Sequence, residues 1–155
     1  MMLSEAHLLA NLPTILLAAS NKQVRVRNAA ESAALTITSK MSPNAVKDIL
    51  PILFKHSEVG VAWQTRALSL KIVATFADHA PEQLGHSLPE VVPQVTISMS
   101  EPKKEVSSAA YAAMTNACNV IGNRDIEHMT AKIVRAISNP EEVPEIMHVI
   151  IDIHF

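Results

Sequence analysis

A proline set among apolar residues returns at a near-constant interval along this chain, and that recurrence limits what the chain can fold into. Leu12-Pro13-Thr14-Ile15-Leu16, Leu50-Pro51-Ile52-Leu53-Phe54 and Val92-Pro93-Gln94-Val95 lie 38 and then 42 residues apart, and Ala131 stands where a fourth proline would fall. A period of this size marks stacked copies of one supersecondary unit, each unable to bury its apolar face alone. Every marker sits in a helical pattern. Leu8, Leu12, Ile15, Leu16 and Ala19 share one face, as do Val46, Leu50 and Leu53. The third copy aligns Leu88, Val91, Val92, Val95 and Met99, and the fourth Ile126, Met129, Ile133 and Ile137. These are the first helices of four pairs, and a proline inside a helix removes one backbone hydrogen bond and favours a kink.

The second helices keep their own register. Val26, Trp63 and Val106 are equivalent, and four residues on Ala30, Ala67 and Ala110 coincide. Further small residues, Ala33, Ala74 and Ala113, let neighbouring helices approach closely. The pattern predicts helices over about 4–19, 23–39, 43–56, 60–79, 83–98, 103–121, 124–137 and 141–153. Ser42-Pro43 and Glu101-Pro102 read as turn or cap signals ahead of helices. The fold class expected is all-α, an α-α superhelix of HEAT/armadillo-like solenoid type. One domain over 1–155 would hold four repeats, at about 4–39, 43–79, 83–121 and 124–153.

Composition agrees. Apolar residues make up 48% of the 155 but aromatics only 3%, so the core must be built from Ala, Val, Ile, Leu and Met. Gly60, Gly85 and Gly122 are the only glycines, too few and too scattered for the turns of an all-β protein or a nucleotide-binding loop. A net charge of −2 gives no broad field to gather nucleic acid or anionic lipid, so any such contact must be local. Cys118 is alone, which excludes an internal disulfide and suits a reducing compartment. The N-terminal stretch lacks a basic leader, and no apolar run reaches the ~18 residues of a membrane span; a cytoplasmic protein is expected. A polar cap, which terminal repeats of a solenoid need, is missing, and the ending Met147–Phe155 is almost wholly apolar. A segment of a longer solenoid, or one covered by a partner, is expected.

Catalytic motifs are not found. No glycine-rich loop precedes a Lys-Ser or Lys-Thr pair, and neither Gly-x-Ser-x-Gly nor His-Glu-x-x-His occurs. None of the seven histidines pairs with another at i, i+3 or i+4, so they read as helix-end or surface residues rather than metal ligands. No catalytic residue, cofactor, metal or small-molecule substrate is expected. Trp63 could anchor a partner, since tryptophan concentrates at interface hot spots, but its alignment with Val26 and Val106 favours core packing. Cys118, beside Ala117, reads as a small buried hydrophobe.

The basic residues are informative by position. Turns between the helices of a pair line one edge of a solenoid. The first carries Lys22, Arg25 and Arg27 and the third Lys103 and Lys104, whereas the second has only Glu58 and the fourth Glu141, Glu142 and Glu145. Such a ridge could meet phosphates through a few salt-dependent contacts. Solvated helix starts account for the same residues equally well.

Several runs resemble a known family. Glu101-Pro102-Lys103-Lys104-Glu105-Val106, then Ala109-Ala110-Tyr111-Ala112-Ala113-Met114-Thr115, are similar to the N-terminal HEAT domain of translation elongation factor three, a fungal-type ribosomal ATPase family. Asn123-Arg124-Asp125-Ile126-Glu127, Asn139-Pro140-Glu141-Glu142-Val143-Pro144-Glu145 and Ser87-Leu88-Pro89-Glu90-Val91-Val92-Pro93 also fit, and the likeness reaches more weakly through Trp63-Gln64 to the first repeat. The resemblance implies a ribosome-binding module supporting translation elongation, in contact with ribosomal RNA and ribosomal proteins. The ATP-binding cassettes that drive the family's reaction are absent, so only docking carries over, and the family's basic loop positions present are Lys103 and Lys104. Ala131 in place of a proline, and the ending after Val149, depart from the family pattern. The alternative is a protein–protein scaffold, of the translational-activator type or a tubulin-binding array.

Overall fold

A computed structural model describes residues 3–120, with side chains from residue 5 onward, all within one compact unit. Among the described residues seven α-helices run α1 (Leu3–Ala18), α2 (Val24–Lys40), α3 (Val46–Ser57), α4 (Trp63–His79), α5 (Pro81–His86), α6 (Leu88–Met99) and α7 (Lys104–Val120), with a 3-10 turn, Pro43–Ala45, leading into α3. Three helix pairs result: α1 with α2, α3 with α4, and α6 with α7. First helices contact first helices, α1 to α3 to α6, and second helices contact second helices, α2 to α4 to α7. This is the two-layer stack that the proline period predicts. The fourth pair, expected at 124–153 and including Ala131 and the acidic fourth turn, lies outside the described residues.

The register expected for the core is largely realised. Leu12, Leu16, Val46, Leu50, Leu53, Val91 and Val95 are buried from the first-helix layer. From the second, Ala30, Ala67 and Ala110 are buried together, and these methyl-sized contacts allow α2, α4 and α7 to lie side by side. Val92 departs from the expected face: it is exposed on α6 beside the exposed Pro93. Flanked by both neighbours, α4 is buried almost all round, from Thr65 through Leu70 and again at Ile72, Val73, Ala74 and Phe76. Its buried hydroxyls are satisfied: Thr65 Oγ1 donates to Leu16 O at 3.0 Å and Ser69 Oγ to Thr65 O at 3.0 Å. Asn116 Nδ2 on α7 donates to Ala74 O at 3.1 Å, joining the second and third pairs.

Pro13, Pro51 and Pro93 all fall inside helices that continue through them. Pro51 and Pro93 are exposed, so the carbonyl each leaves unbonded can be met by water. Two helix boundaries depart from the sequence reading. The segment expected as helix from residue 60 instead holds a tight turn, with Gly60 at φ +102 and Val61 N donating to Glu58 O at 3.2 Å, and α4 begins at Trp63. The single helix expected over 83–98 is two. Pro89 has no N–H to give to Gly85 O and disfavours α geometry before it. The chain breaks at Ser87, whose Oγ bonds Gln83 O at 2.9 Å while its own carbonyl accepts from Glu90 N and Val91 N.

Candidate functional site

The turns within the three described pairs lie in sequence at the starts of α2, α4 and α7, the helices that form one layer. The first turn is fixed by its own side chains. Asn21 Oδ1 accepts from Gln23 N at 2.9 Å, and Arg27 Nη1 donates to the carbonyls of Asn21 and Lys22 at 2.9 and 3.0 Å. Arg27 is thus half-buried and spent partly on structure, yet no carboxylate among the described residues forms an ion pair with it. Lys22 and Arg25 are exposed beside it.

The second and third turns are tied together through Arg66, a residue with no part in the sequence-based candidates. Its guanidinium, on a side chain only 7% exposed, gives Nε to Ser57 O at 3.1 Å and pairs through Nη2 with Glu101 Oε1 at 2.5 Å. The end of α3, the start of α4 and the entry to α7 are joined by this one side chain. Hydrogen bonding from Arg66, aided by its charge and opposed by burial, holds the Glu101 carboxyl below its ordinary value of 4.5. Sequence alone did not reveal this role, because an arginine one turn into a helix reads as solvated.

A second link joins the same two turns on the surface. Lys103 Nζ lies over the Trp63 ring, 4.5 Å from its centroid, and 3.4 Å from Glu105 Oε2. The Glu105 carboxyl is lowered by its own backbone N–H first, then by Lys103 and Lys104. Trp63 is therefore not the core residue its alignment suggests: it is 38% exposed, whereas Val106 is fully buried. The reason is local. Val26 and Val106 are each the third residue of their helices, but the Gly60 turn makes Trp63 the first of α4, at the rim. Cys118 also departs from expectation, being exposed on α7 next to the buried Ala117. His56 is at a helix end as expected but is buried, with Nδ1 2.7 Å from Ile52 O.

Beside these turns the second-helix layer opens into a groove of about 510 Å³. Its floor is apolar, from Ala19, Ala67, Leu68, Ala109 and Ala112, and Trp63 lines one side. Polar positions at helical spacing line the rest: Arg27, Asn28 and Glu31 on α2, Gln64 and Lys71 on α4, Glu105 and Ser108 on α7. Lys71 Nζ meets Glu31 Oε1 at 2.7 Å across α2 and α4. Of the five basic candidates, the structure brings Arg27 and Lys103 to the groove or its rim, and leaves Lys22, Arg25 and Lys104 exposed along the turn edge. Among the described residues, no cluster of three or more His, Cys, Asp or Glu could hold a metal ion, and no helix is long and apolar enough to cross a membrane.

Stacked helix pairs with a groove in one layer and a basic edge on the turns define a helical-repeat scaffold, a class that works by presenting surface. Residues 2–114 match the family model described as EF3 N-terminal HEAT repeat, and the chain belongs to that family. It is 43% identical over 144 residues to elongation factor 3 of Phytophthora infestans, covering 93% of this chain and 14% of that protein. It is 34% identical over 146 residues to elongation factor 3B of Saccharomyces cerevisiae, covering 94% and 14%. With elongation factor 3 of Candida albicans the identity is 37% over 132 residues, 85% of this chain and 13% of the relative. The chain thus spans about one seventh of the length of these curated relatives.

Proposed function

We propose that this chain is a ribosome-docking scaffold that supports translation elongation by binding, without chemistry of its own, in the cytoplasm. The observation that carries the proposal is the basic turn edge. Lys22, Arg25, Arg27, Lys103 and Lys104 lie at the starts of two second helices, and the Arg66–Glu101 and Trp63–Lys103 contacts hold the second and third turns in fixed relation. A turn backbone already held in place need not be ordered on meeting phosphates, so the entropy cost is confined to the exposed Lys and Arg side chains. Membership of a family whose relatives are named elongation factors directs the choice of ribosomal RNA and proteins as partners.

Co-sedimentation with ribosomes at low salt is the test. The chain should pellet with ribosomes, and Lys103→Glu combined with Lys104→Glu should release it to the supernatant. No pelleting, or pelleting indifferent to the double substitution, removes the docking role assigned to this edge.

A further inference from the structure

The groove between α2, α4 and α7 has a character different from the turn edge beside it. Its lining holds as many carboxylates as cations, Glu31 and Glu105 against Arg27 and Lys71, although Glu31 pairs with Lys71 and Glu105 with Lys103 outside the lining, and its floor is methyl groups and Leu68. The surroundings do not balance. Within residues 19–31, 57–71 and 100–112, seven Lys and Arg stand against four Glu, in a chain whose net charge is −2. Three of those glutamates are already paired, with Lys71, Arg66 and Lys103. The surplus is Lys22, Arg25, Arg27 and Lys104, offset only by Glu58, and it lies at the turn end of the groove.

We propose that this groove receives a short segment of a partner protein, an apolar anchor side chain flanked by acidic residues. The anchor lies on the alanine floor against Trp63, while the flanking carboxylates meet the surplus cations at the turn edge. The volume suits a few side chains rather than a folded surface. An aromatic at the rim of an apolar floor, from which a bound side chain displaces water, is the arrangement that concentrates binding energy in protein recognition. A phosphate chain fits less well, because it would run past Glu31 and Glu105 and place charge over the methyl floor. The inference goes beyond ribosome docking and does not require it: the anchor is held by the groove floor, which docking does not use, and only the edge cations Lys22, Arg25, Arg27 and Lys104 serve both.

Trp63 is the only tryptophan in the chain, so its fluorescence reports on the groove directly. The full chain is titrated with the blocked peptide Asp-Glu-Leu-Phe-Glu-Asp, and in parallel with Lys-Arg-Leu-Phe-Arg-Lys, Asp-Glu-Ser-Ser-Glu-Asp and an oligouridylate, correcting for absorbance. The acidic apolar peptide should shift the emission saturably, and the other three should not. Ala112→Glu, at an exposed position on the groove floor, should weaken that binding about tenfold or more with helical circular dichroism unchanged. No saturable shift up to about 1 mM, an equal response to the basic or serine peptide, a stronger response to the oligouridylate, or binding indifferent to Ala112→Glu overturns the proposal. Ribosome pelleting plays no part in this measurement, so either reading can fail alone.

Discussion

Arg66 shows how much one side chain can fix. It is buried on α4, it satisfies the carbonyl that ends α3, and it carries a charge that Glu101 neutralises from the turn before α7. Because Arg66 holds the Glu101 carboxyl below its ordinary value of 4.5, the pair contributes stability in full above that value. The contribution is lost as pH falls from about 4.5 through the lowered folded value. Glu101→Gln should therefore lower the urea midpoint at neutral pH, and the gap to the unsubstituted chain should close below about pH 4.5. Glu105, also lowered, titrates in both proteins, so the difference isolates Glu101. A gap that stays constant from pH 7 to 3 would remove the pairing as a source of stability. At this scale the sequence was only partly legible. Alignment placed Ala30, Ala67 and Ala110 correctly in the core, because a methyl-sized position past the first turn of each second helix has one environment. It misplaced Trp63 at the helix start, where a two-residue change in the helix boundary turns a core position into a rim position.

At the scale of elements, helix ends depended on backbone rules that hydrophobic periodicity does not carry. The α3–α4 connection turns at Gly60, whose φ of +102 is costly for any residue with a Cβ. A Cβ there would meet nothing within 4 Å, so strain and not crowding is the whole cost. Gly60→Ala should destabilise by about 1–2 kcal/mol in urea unfolding. Ala at the exposed Ala62 position already shows that the turn accepts methyl groups elsewhere. A neutral result would mean the turn rearranges to negative φ, which would also move Trp63 away from Lys103. The split between α5 and α6 has the same origin in local chemistry, since apolar spacing continues across Ser87 while Pro89 cannot. Both markers were visible in the sequence, but the apolar pattern around them was the stronger signal for a continuous helix.

For the whole molecule, the repeat period determined the layers, and the layers determine which surfaces exist. Second helices far apart in sequence become neighbours, so α2, α4 and α7 together build a groove that no single segment encodes. That is why the groove escaped the sequence reading while the basic turns did not: each turn is local, and the groove is a product of stacking. The turn edge makes a quantitative demand if it contacts RNA. Each lysine that neutralises a phosphate releases counterions, so the logarithm of ribosome affinity should fall linearly with the logarithm of salt, with a slope of about 0.7–0.9 per contact. Replacing Lys103 and Lys104 individually by Gln should lower that slope by about 0.7–0.9 each where each makes a phosphate contact. Lys103 is already shared with Trp63 and Glu105, whereas Lys104 enters no ion pair among the described residues. The expected outcome is a larger slope change for Lys104→Gln than for Lys103→Gln, read from binding isotherms at several salt concentrations. Equal slopes for all three proteins would place the RNA contact elsewhere on the chain and leave this edge a solvated rim.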